Sequence, residues 1–177
     1  MIEALRDRLR DSRQTLRDAY LKGKQPGWLL REHARLTDRI LRNLWRTHGP
    51  FSGMSLVATG GYGRGELFPC SDVDVLVLLG GEPGAAERDR LERLIGLLWD
   101  IGLEIGHSVR SVEACVELAR ADITIETSLL EARPLAGSAA LFRRLSRAID
   151  RIVDPAVFLK AKKLEQEQRH AKHRDTA

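Results

Sequence analysis

The sequence predicts an α+β fold in which a small mixed sheet is flanked by helices on its N-terminal and C-terminal sides. Three observations predict this class. Apolar residues recur at helical spacing towards both ends of the chain. Short runs dense in valine and leucine fill its middle, as in buried strands. Turns rich in glycine and proline separate these runs from the helical segments.

The first fifty residues are predicted to form two helices. Apolar positions recur helically over 2–22, the glycines and proline of 23–27 interrupt the pattern, and a second amphipathic segment covers 28–45. His33 lies in the apolar stripe of the second segment. We interpret it as a packing residue rather than a ligand.

The remaining elements alternate between strands and helices. Strands are predicted at 55–59, 72–79 and 102–110, with a short edge strand at 133–136, where a proline is tolerated. Helices are predicted at 85–101, 111–120, 122–131, 138–150 and 155–174. Ser111 and Asp122 are expected to act as N-caps of the helices that they begin.

These elements divide the chain into three regions. Residues 1–50 form an N-terminal helical region, 51–137 an α/β core, and 138–177 a C-terminal helical segment. The last predicted helix is charged, and no apolar element follows it. We therefore expect the C-terminal segment to be truncated.

The composition describes a globular chain with a modest positive charge. Of its 177 residues, 43% are hydrophobic and 31% charged, and the net charge is +4. Basic residues are interleaved with acidic ones, and only 5% of the chain is aromatic. This pattern favours solvated helix faces over a nucleic-acid surface. Nucleic acid is therefore not an expected partner.

Three features of the sequence predict a cytoplasmic protein with no membrane partner. Charges interrupt every apolar run before it reaches the length of a membrane span. The N-terminus lacks the apolar segment and cleavage site of a secretory signal. Cys70 and Cys115 do not have the spacing of a metal site, and we interpret both as reduced thiols.

One stretch of the chain combines the residue types expected at a binding or catalytic site. An apolar run ends in Gly60 and Gly61, and a short loop then leads to Asp72 and Asp74 at the start of the next apolar run. Residues two apart in a strand point to the same face, so the two carboxylates are predicted to lie side by side. Such a pair repels unless a cation separates its members.

The two halves of this stretch indicate phosphate chemistry when taken together. Carboxylates suit Mg²⁺ or Mn²⁺, which proteins usually hold together with the phosphates of a substrate. Glycines allow backbone amides to approach phosphate closely. The glycine run alone lacks the spacing of a dinucleotide fingerprint or a P-loop, and an Asp-X-Asp pair alone is common on surfaces. The glycine turn and the Asp-X-Asp pair occur in this order, and each adjoins an apolar run. Together they predict nucleotide chemistry.

This stretch resembles the nucleotidyltransferase superfamily that includes DNA polymerase beta. More closely, it resembles the N-terminal nucleotidyltransferase domain of the bacterial PII uridylyltransferase family. The similar strings are GGYGRGEL at 60–67, SDVD at 71–74, GLEIGHSVR at 102–110, DIT at 122–124 and LLEARPLAG at 129–137. The resemblance is specific from about residue 52 to 137 and implies a polymerase beta-like nucleotidyltransferase core.

The resemblance implies roles for particular residues. Asp72 and Asp74 would bind Mg²⁺ or Mn²⁺, and Gly60 and Gly61 would admit the β- and γ-phosphates. Two further residues are candidates for contacts with phosphate, Arg64 through its guanidinium fork and Ser71, which is equally suited to capping a turn.

A third carboxylate is also implied, on a later strand. Glu104 is the first candidate because it falls on the predicted third strand and shares a face with Ser108 and Arg110; Glu126 and Glu131 are alternatives. His107 falls on the opposite face of that strand, so we expect it to be packed or hydrogen-bonded rather than a ligand.

The family's reaction supplies the functional hypothesis. It implies UTP as the donor, a tyrosine of the PII nitrogen-regulatory protein as the acceptor, and a uridylyl-tyrosine ester as the product. Two alternatives remain open: a nucleotidyltransferase of the same superfamily with another acceptor, and a nucleotide-binding module without turnover. No base-reading motif is present in the sequence, so the preference for uracil is implied by the resemblance alone.

Overall fold

The computed structural model describes residues 2–69 and 71–173, and within these ranges eight helices and four strands follow one another. The N-terminal helices are α1 (Ile2–Leu21) and α2 (Pro26–His48). The middle of the chain forms β1 (Met54–Ala58), α3 (Gly60–Gly63), β2 (Val73–Leu79), α4 (Ala85–Asp100) and β3 (Ile105–Ser111). The remainder forms α5 (Val112–Ala121), α6 (Ile123–Leu130), β4 (Arg133–Gly137), α7 (Ala139–Ile152) and α8 (Pro155–His173).

The four strands form one mixed sheet in the order β3-β2-β1-β4. Strand β1 pairs antiparallel with both β2 and β4, whereas β2 and β3 run parallel. The predicted α+β class with a small mixed sheet is therefore confirmed. Strand β4 lies at an edge of the sheet, as its proline requires.

Alternating side chains of the strands feed two separate hydrophobic clusters. One cluster contains Val73, Val75 and Val77 of β2 and packs against α1, α2 and α4. The other contains Leu76 and Leu78 and packs against α5, α6 and α7. Helices thus pack on both faces of the sheet, and most aliphatic residues of β1 and β2 are removed from water on one of them.

Most predicted elements are found with small shifts at their ends. Ser111 Oγ accepts a hydrogen bond from Ala114 N at 3.2 Å, and Asp122 Oδ1 accepts one from Thr124 N at 2.7 Å, which confirms both caps. The larger difference is at the third strand, which begins at Ile105 instead of 102 because residues 101–102 form a turn. The prediction for the last helix ended at residue 174, outside the described residues.

Two predictions about single side chains can also be compared with the structure. His33 is buried, with 3% of its surface exposed, as predicted for a packing residue. Cys115 is a free, buried thiol, and burial raises its pKa to about 11; Cys70 lies outside the described residues. No helix in the described ranges combines the length and apolar character needed to cross a membrane.

Candidate functional site

The predicted motif residues converge at one end of the sheet. Strand β1 ends beside the start of β2, where Ala58 pairs with Val75, and Thr59 N donates to the carbonyl of Asp74 at 3.1 Å. The start of β3 lies on the other side of β2, where Asp74 pairs with Gly106. One end of three neighbouring strands therefore holds the glycine turn, the paired aspartates and the GHSVR segment.

A cleft of about 330 Å³ opens at this end of the sheet. It lies between the sheet face that carries Asp74 and the surface of α6. Its polar wall consists of Thr59, Asp74, His107, Ser108, Arg110, Thr124 and Ser128. The cleft is open to solvent and combines carboxylate, hydroxyl and guanidinium groups, which is the chemistry required to bind a charged ligand together with a cation.

Asp72 and Asp74 influence one another electrostatically. Both are exposed, Asp72 just before β2 and Asp74 within it, and Asp74 lines the cleft. Partial burial, and secondly the charge of Asp72, raise the pKa of the Asp74 carboxyl. The ionised pair is therefore held at an electrostatic cost that a bound cation would offset.

Two glycines leave space around the Asp74 carboxylate. A Cβ placed at Gly106 would lie 2.5 Å from Asp74 Oδ1, and one placed at Gly60 would lie 3.6 Å from Oδ2 and 3.8 Å from Ser128 Oγ. Gly60 also has a φ of +56°, which favours glycine. Gly60 and Gly106 thus flank the carboxylate from two different elements.

The glycine turn itself forms the short helix α3, which the sequence did not predict as a helix. Gly61 faces the loop that follows, where a Cβ would lie 3.4 Å from the carbonyl of Glu66. Gly63 has no such space, because a Cβ would collide with the backbone carbonyl of Glu131. Gly60 and Gly61 are therefore next to open space or polar groups, and Gly63 is required by packing.

Arg64 is already paired with acidic side chains. Its Nη1 lies 2.6 Å from Glu131 Oε2, and its Nε lies 3.4 Å from Glu66 Oε2. The hydrogen bond to Glu131 is the largest cause of the raised pKa of Arg64. Arg64 does not line the cleft. A phosphate contact would therefore require it to exchange one of these partners, while Glu131 is engaged by the same ion pair.

The candidates for a third carboxylate lie on different elements of the fold. Glu104 was predicted on the third strand, but β3 begins only at Ile105, after the turn at 101–102, and Glu104 lies exposed just before it. Its carbonyl accepts from Val73 N at 2.7 Å, which places its backbone beside Asp72. Glu126 lies in the first turn of α6. Within 2–69 and 71–173, no three or more His, Cys, Asp or Glu side chains form a group that could hold a metal ion.

His107 differs from its prediction. It is exposed and lines the cleft, although alternation along the strand predicted a packed or hydrogen-bonded side chain. The physical reason is that β3 is an edge strand of the sheet. The face that carries Ile105, His107 and Val109 is open beyond Ile105, and Val109 is 40% exposed.

A buried ionic network anchors the glycine turn to the rest of the fold. Arg133 donates to both carboxylate oxygens of Asp38, at 2.7 and 3.0 Å, and to the carbonyls of Gly63 and Tyr62, at 3.2 and 3.3 Å. Tyr62 Oη donates to Asp38 Oδ1 at 2.8 Å. Burial, and then the charge of Asp38, raise the pKa of Tyr62. The network ties α3 to α2 and β4.

Several residues of the site were not assigned a role from the sequence. Arg110 lines the cleft and has no hydrogen-bond or ion-pair partner among the described residues. Gly106 of β3 lies against Asp74, and Ser128 of α6 lines the same cleft near Gly60. The GHSVR string was the sequence signal for Gly106 and Arg110. Ser128 had no signal, since the approach of α6 depends on long-range packing.

The aspartate pair fits a divalent cation. Its two carboxylates have no cationic side chain within ion-pair distance among the described residues. The space that Gly106 leaves around Asp74 keeps an oxygen accessible from the cleft. Hard carboxylate oxygens beside an open cleft are typical ligands for Mg²⁺ or Mn²⁺ that is completed by substrate oxygens and water.

Comparison with protein families gives one match over this region. The model of the Nucleotidyltransferase domain family matches residues 38–127, which is more than half of the chain and includes both aspartates and the glycine turn.

Curated proteins with similar sequences share one name. A bifunctional uridylyltransferase/uridylyl-removing enzyme from Cupriavidus pinatubonensis is 52% identical over 97% of this chain. One from Chromobacterium violaceum is 48% identical over 95% of the chain. The chain spans about 20% of the length of each of these relatives. It is therefore similar to one region of longer proteins.

Solved structures show more distant similarity. A crystal structure of a toxin–antitoxin with AMP-PNP matches 78% of this chain and 96% of its own, at 16% identity and a TM-score of 0.38.

Proposed function

We propose, from the premise that this chain belongs to the nucleotidyltransferase domain family, that its cleft transfers a nucleotidyl group from a nucleoside triphosphate. The observation that carries the proposal is the position of Asp72 and Asp74. The pair lies beside the glycine turn, Asp74 lines an open polar cleft, and neither carboxylate has a cationic partner among the described residues.

The reaction class defines what the cleft has to stabilise. An acceptor hydroxyl attacks the α-phosphate and pyrophosphate leaves, so negative charge develops on the phosphate and the leaving oxygens. Bound Mg²⁺ or Mn²⁺ would supply Lewis-acid stabilisation of that charge. Asp72 and Asp74 would hold the cation, while Gly60 and Gly61 would let the triphosphate approach the backbone.

The positive charge on the protein side is assigned chiefly to Arg110. Its guanidinium lines the cleft and is free of acidic partners among the described residues, whereas Arg64 is compensated by Glu131 and Glu66. An unpaired guanidinium can form two hydrogen bonds with phosphate without breaking an existing ion pair. Arg64 is proposed as an additional phosphate contact that exchanges its partner when the nucleotide binds.

Two further assignments follow from the position of side chains around the aspartate pair. Glu104 is proposed as the third carboxylate, because its backbone is bonded to the residue between Asp72 and Asp74. Ser71, exposed directly before Asp72, is proposed as a hydroxyl contact to phosphate.

The donor and acceptor are proposed from the relatives. The two relatives, which are 48% and 52% identical to this chain, are named bifunctional uridylyltransferase/uridylyl-removing enzymes. We therefore infer that UTP is the donor, that a tyrosine of the PII signalling protein is the acceptor, and that the reaction takes place in the cytoplasm. The chain would act as the N-terminal transferase region of such a protein.

Transfer can be tested with UTP labelled at the α-phosphate, Mg²⁺ and purified PII. Because the chain spans about 20% of the relatives' length, we expect it to label PII only weakly beside the full-length Cupriavidus relative. It should not label a PII variant in which the acceptor tyrosine is replaced by phenylalanine. The full-length Cupriavidus relative serves as the positive control. Labelling of PII by the relative but not by this chain would contradict transfer to PII, and labelling of the phenylalanine variant would contradict the acceptor.

A further inference from the structure

A second cavity lies on the opposite side of the molecule from α6, between α1, α2 and the turn that follows α4. Its volume is about 620 Å³, larger than that of the cleft beside Asp74. Leu9, Leu16, Leu29 and Ile101 form an apolar wall. Arginines of α1 and the ring of His33 supply its polar groups. No part of the proposed transfer reaction uses this cavity.

His33 lines the cavity, and one of its ring nitrogens is buried without a hydrogen-bond partner. Its Nδ1 lies 3.2 Å from the carbonyl oxygen of Leu67, and a carbonyl only accepts, so Nδ1 carries the hydrogen. Burial, the largest cause, lowers the pKa of His33 and keeps the ring neutral. Nε2 is then an acceptor, yet it is buried and has no hydrogen-bond partner in the described structure. Such atoms are rare in folded proteins because an unpaired buried polar atom is costly.

Two arginines of the same cavity are free to bind an anion. Arg13 Nε is buried without a hydrogen-bond partner, and Arg13 lies close enough to His33 to lower its pKa. Arg17 has no ion pair or hydrogen bond to a described residue. In contrast, Arg6 donates to the carbonyl of Asp100, and Arg10 pairs with Asp7 at 2.9 Å.

We propose that this cavity is a binding site for a small organic carboxylate that has an apolar body and a hydroxyl or amide donor next to the carboxylate. The carboxylate would pair with Arg13 and Arg17, and the donor would satisfy Nε2 of His33. The apolar body would pack against the leucines of α1 and α2.

The site is physically connected to the loop that carries the aspartates. Pro69 lines the cavity, and Leu67 is held by His33 through its carbonyl and by Leu30 through its amide, whose N–O distance is 3.3 Å. These residues belong to the segment between α3 and Asp72. A ligand in the cavity would therefore contact the same stretch of chain that leads to Asp72.

Phenyllactate has the required groups and is the probe for the first test. Its affinity for the chain would be measured by calorimetry, beside phenylpropionate, which lacks the hydroxyl, and 3-phenyl-1,2-propanediol, which lacks the carboxylate. For a ligand of this size we expect a dissociation constant on the order of 1 mM. Loss of either group should weaken binding by about tenfold. No binding of phenyllactate, or equal binding of all three, would overturn the proposal.

Variants of α1 locate the binding. Arg13→Met removes the guanidinium but keeps an unbranched, flexible side chain, and it should weaken phenyllactate binding by about tenfold. Arg8→Met is the matched control, because Arg8 is exposed on the same helix and does not line the cavity. Equal affinities of the two variants would overturn the site. In ¹⁵N spectra of the wild-type chain, phenyllactate should shift the Nε2 resonance of His33; an unshifted resonance at saturation would contradict the contact with His33.

Discussion

At the scale of single residues, the site depends on one carboxylate in a crowded place. Asp74 is partly buried, faces the charge of Asp72, and has an oxygen so close to Gly106 that a Cβ there would collide with it. Each of these features is unfavourable for an ion that has no partner. They are expected together where a cation completes the site, because the protein then gains binding at the expense of its own stability.

The first prediction concerns Asp74 without a metal. Because its native pKa is raised, native protein binds more protons than unfolded protein between the two pKa values, so stability falls as pH rises through this window. Above this window the ionised Asp74 destabilises the native protein to its full extent. Below the ordinary pKa of aspartate this destabilisation is absent. Asp74→Asn removes this destabilisation, and should raise the melting temperature at pH 7 by about 1–2 °C in EDTA.

Thermal scans at pH 7 and at low pH, with and without Mg²⁺, test this directly. The advantage of the Asn variant should disappear at low pH, and Mg²⁺ with a nucleoside triphosphate should stabilise only the wild type. A lower melting temperature for the variant at pH 7 would show that the ionised Asp74 stabilises the fold, which would contradict the prediction.

The second prediction concerns Gly106. In Gly106→Ala the new Cβ would displace the Asp74 carboxylate, which can rotate away, so the fold should survive while Mg²⁺-dependent triphosphate affinity falls by about tenfold or more. Gly96→Ala is the control, since Gly96 lies within α4 and has no atom within 4 Å of an added Cβ. Calorimetry of both variants is the measurement; unchanged affinity in Gly106→Ala would remove Gly106 from the site.

At the scale of elements, the glycine turn is held from outside. Helix α3 has four residues and too few hydrogen bonds of its own to be stable. Arg133 of β4 and Asp38 of α2 supply the missing bonds, because the guanidinium reaches two backbone carbonyls of α3 while it binds the carboxylate. The phosphate-facing backbone is therefore positioned by an ionic network rather than by its local sequence.

The third prediction is a graded loss of stability in this network. Arg133→Met leaves the Asp38 carboxylate without its bidentate partner and should lower the free energy of unfolding by about 2–3 kcal/mol. Tyr62→Phe removes one hydrogen bond and should cost about 1 kcal/mol. Arg39→Met, on an exposed face of α2, should lie within about 0.5 kcal/mol of the wild type.

Urea denaturation at neutral pH gives these differences, with the slope of the transition as the check on two-state behaviour. The same loss in the Arg39 and Arg133 variants would show that the network contributes nothing beyond removal of a surface charge. A smaller loss for Arg133→Met than for Tyr62→Phe would reverse the proposed order.

The elements themselves show which features a sequence predicts well. Helices with a clear apolar stripe and strands dense in valine were located correctly, and the Ser111 and Asp122 caps were confirmed because capping depends only on neighbouring residues. Helix α3 and the exposed face of β3 were not predicted. Both depend on what packs beside them, which local periodicity does not encode.

At the scale of the whole molecule, the cleft lies where long-range packing brings three segments together. The pairing of β2 with β3 places Gly106 against Asp74, and the packing of α6 places Ser128 in the wall of the same cleft. The sequence predicted that Asp72 and Asp74 lie side by side and beside the glycine turn. It could not predict that Arg64 is paired with Glu131, because the two residues lie far apart in the chain and neither has a local pattern.

The central claim is that Asp72 and Asp74 bind a divalent cation together with a nucleoside triphosphate. Calorimetry with a non-hydrolysable UTP analogue, with and without Mg²⁺, tests it most directly. The matched control for Asp72→Asn/Asp74→Asn is Asp89→Asn/Glu92→Gln, which removes two exposed charges from α4 instead. We predict that binding by the wild type and the control requires Mg²⁺, and that the aspartate variant binds at least about tenfold more weakly. Equal binding by all three proteins in Mg²⁺ would contradict the claim.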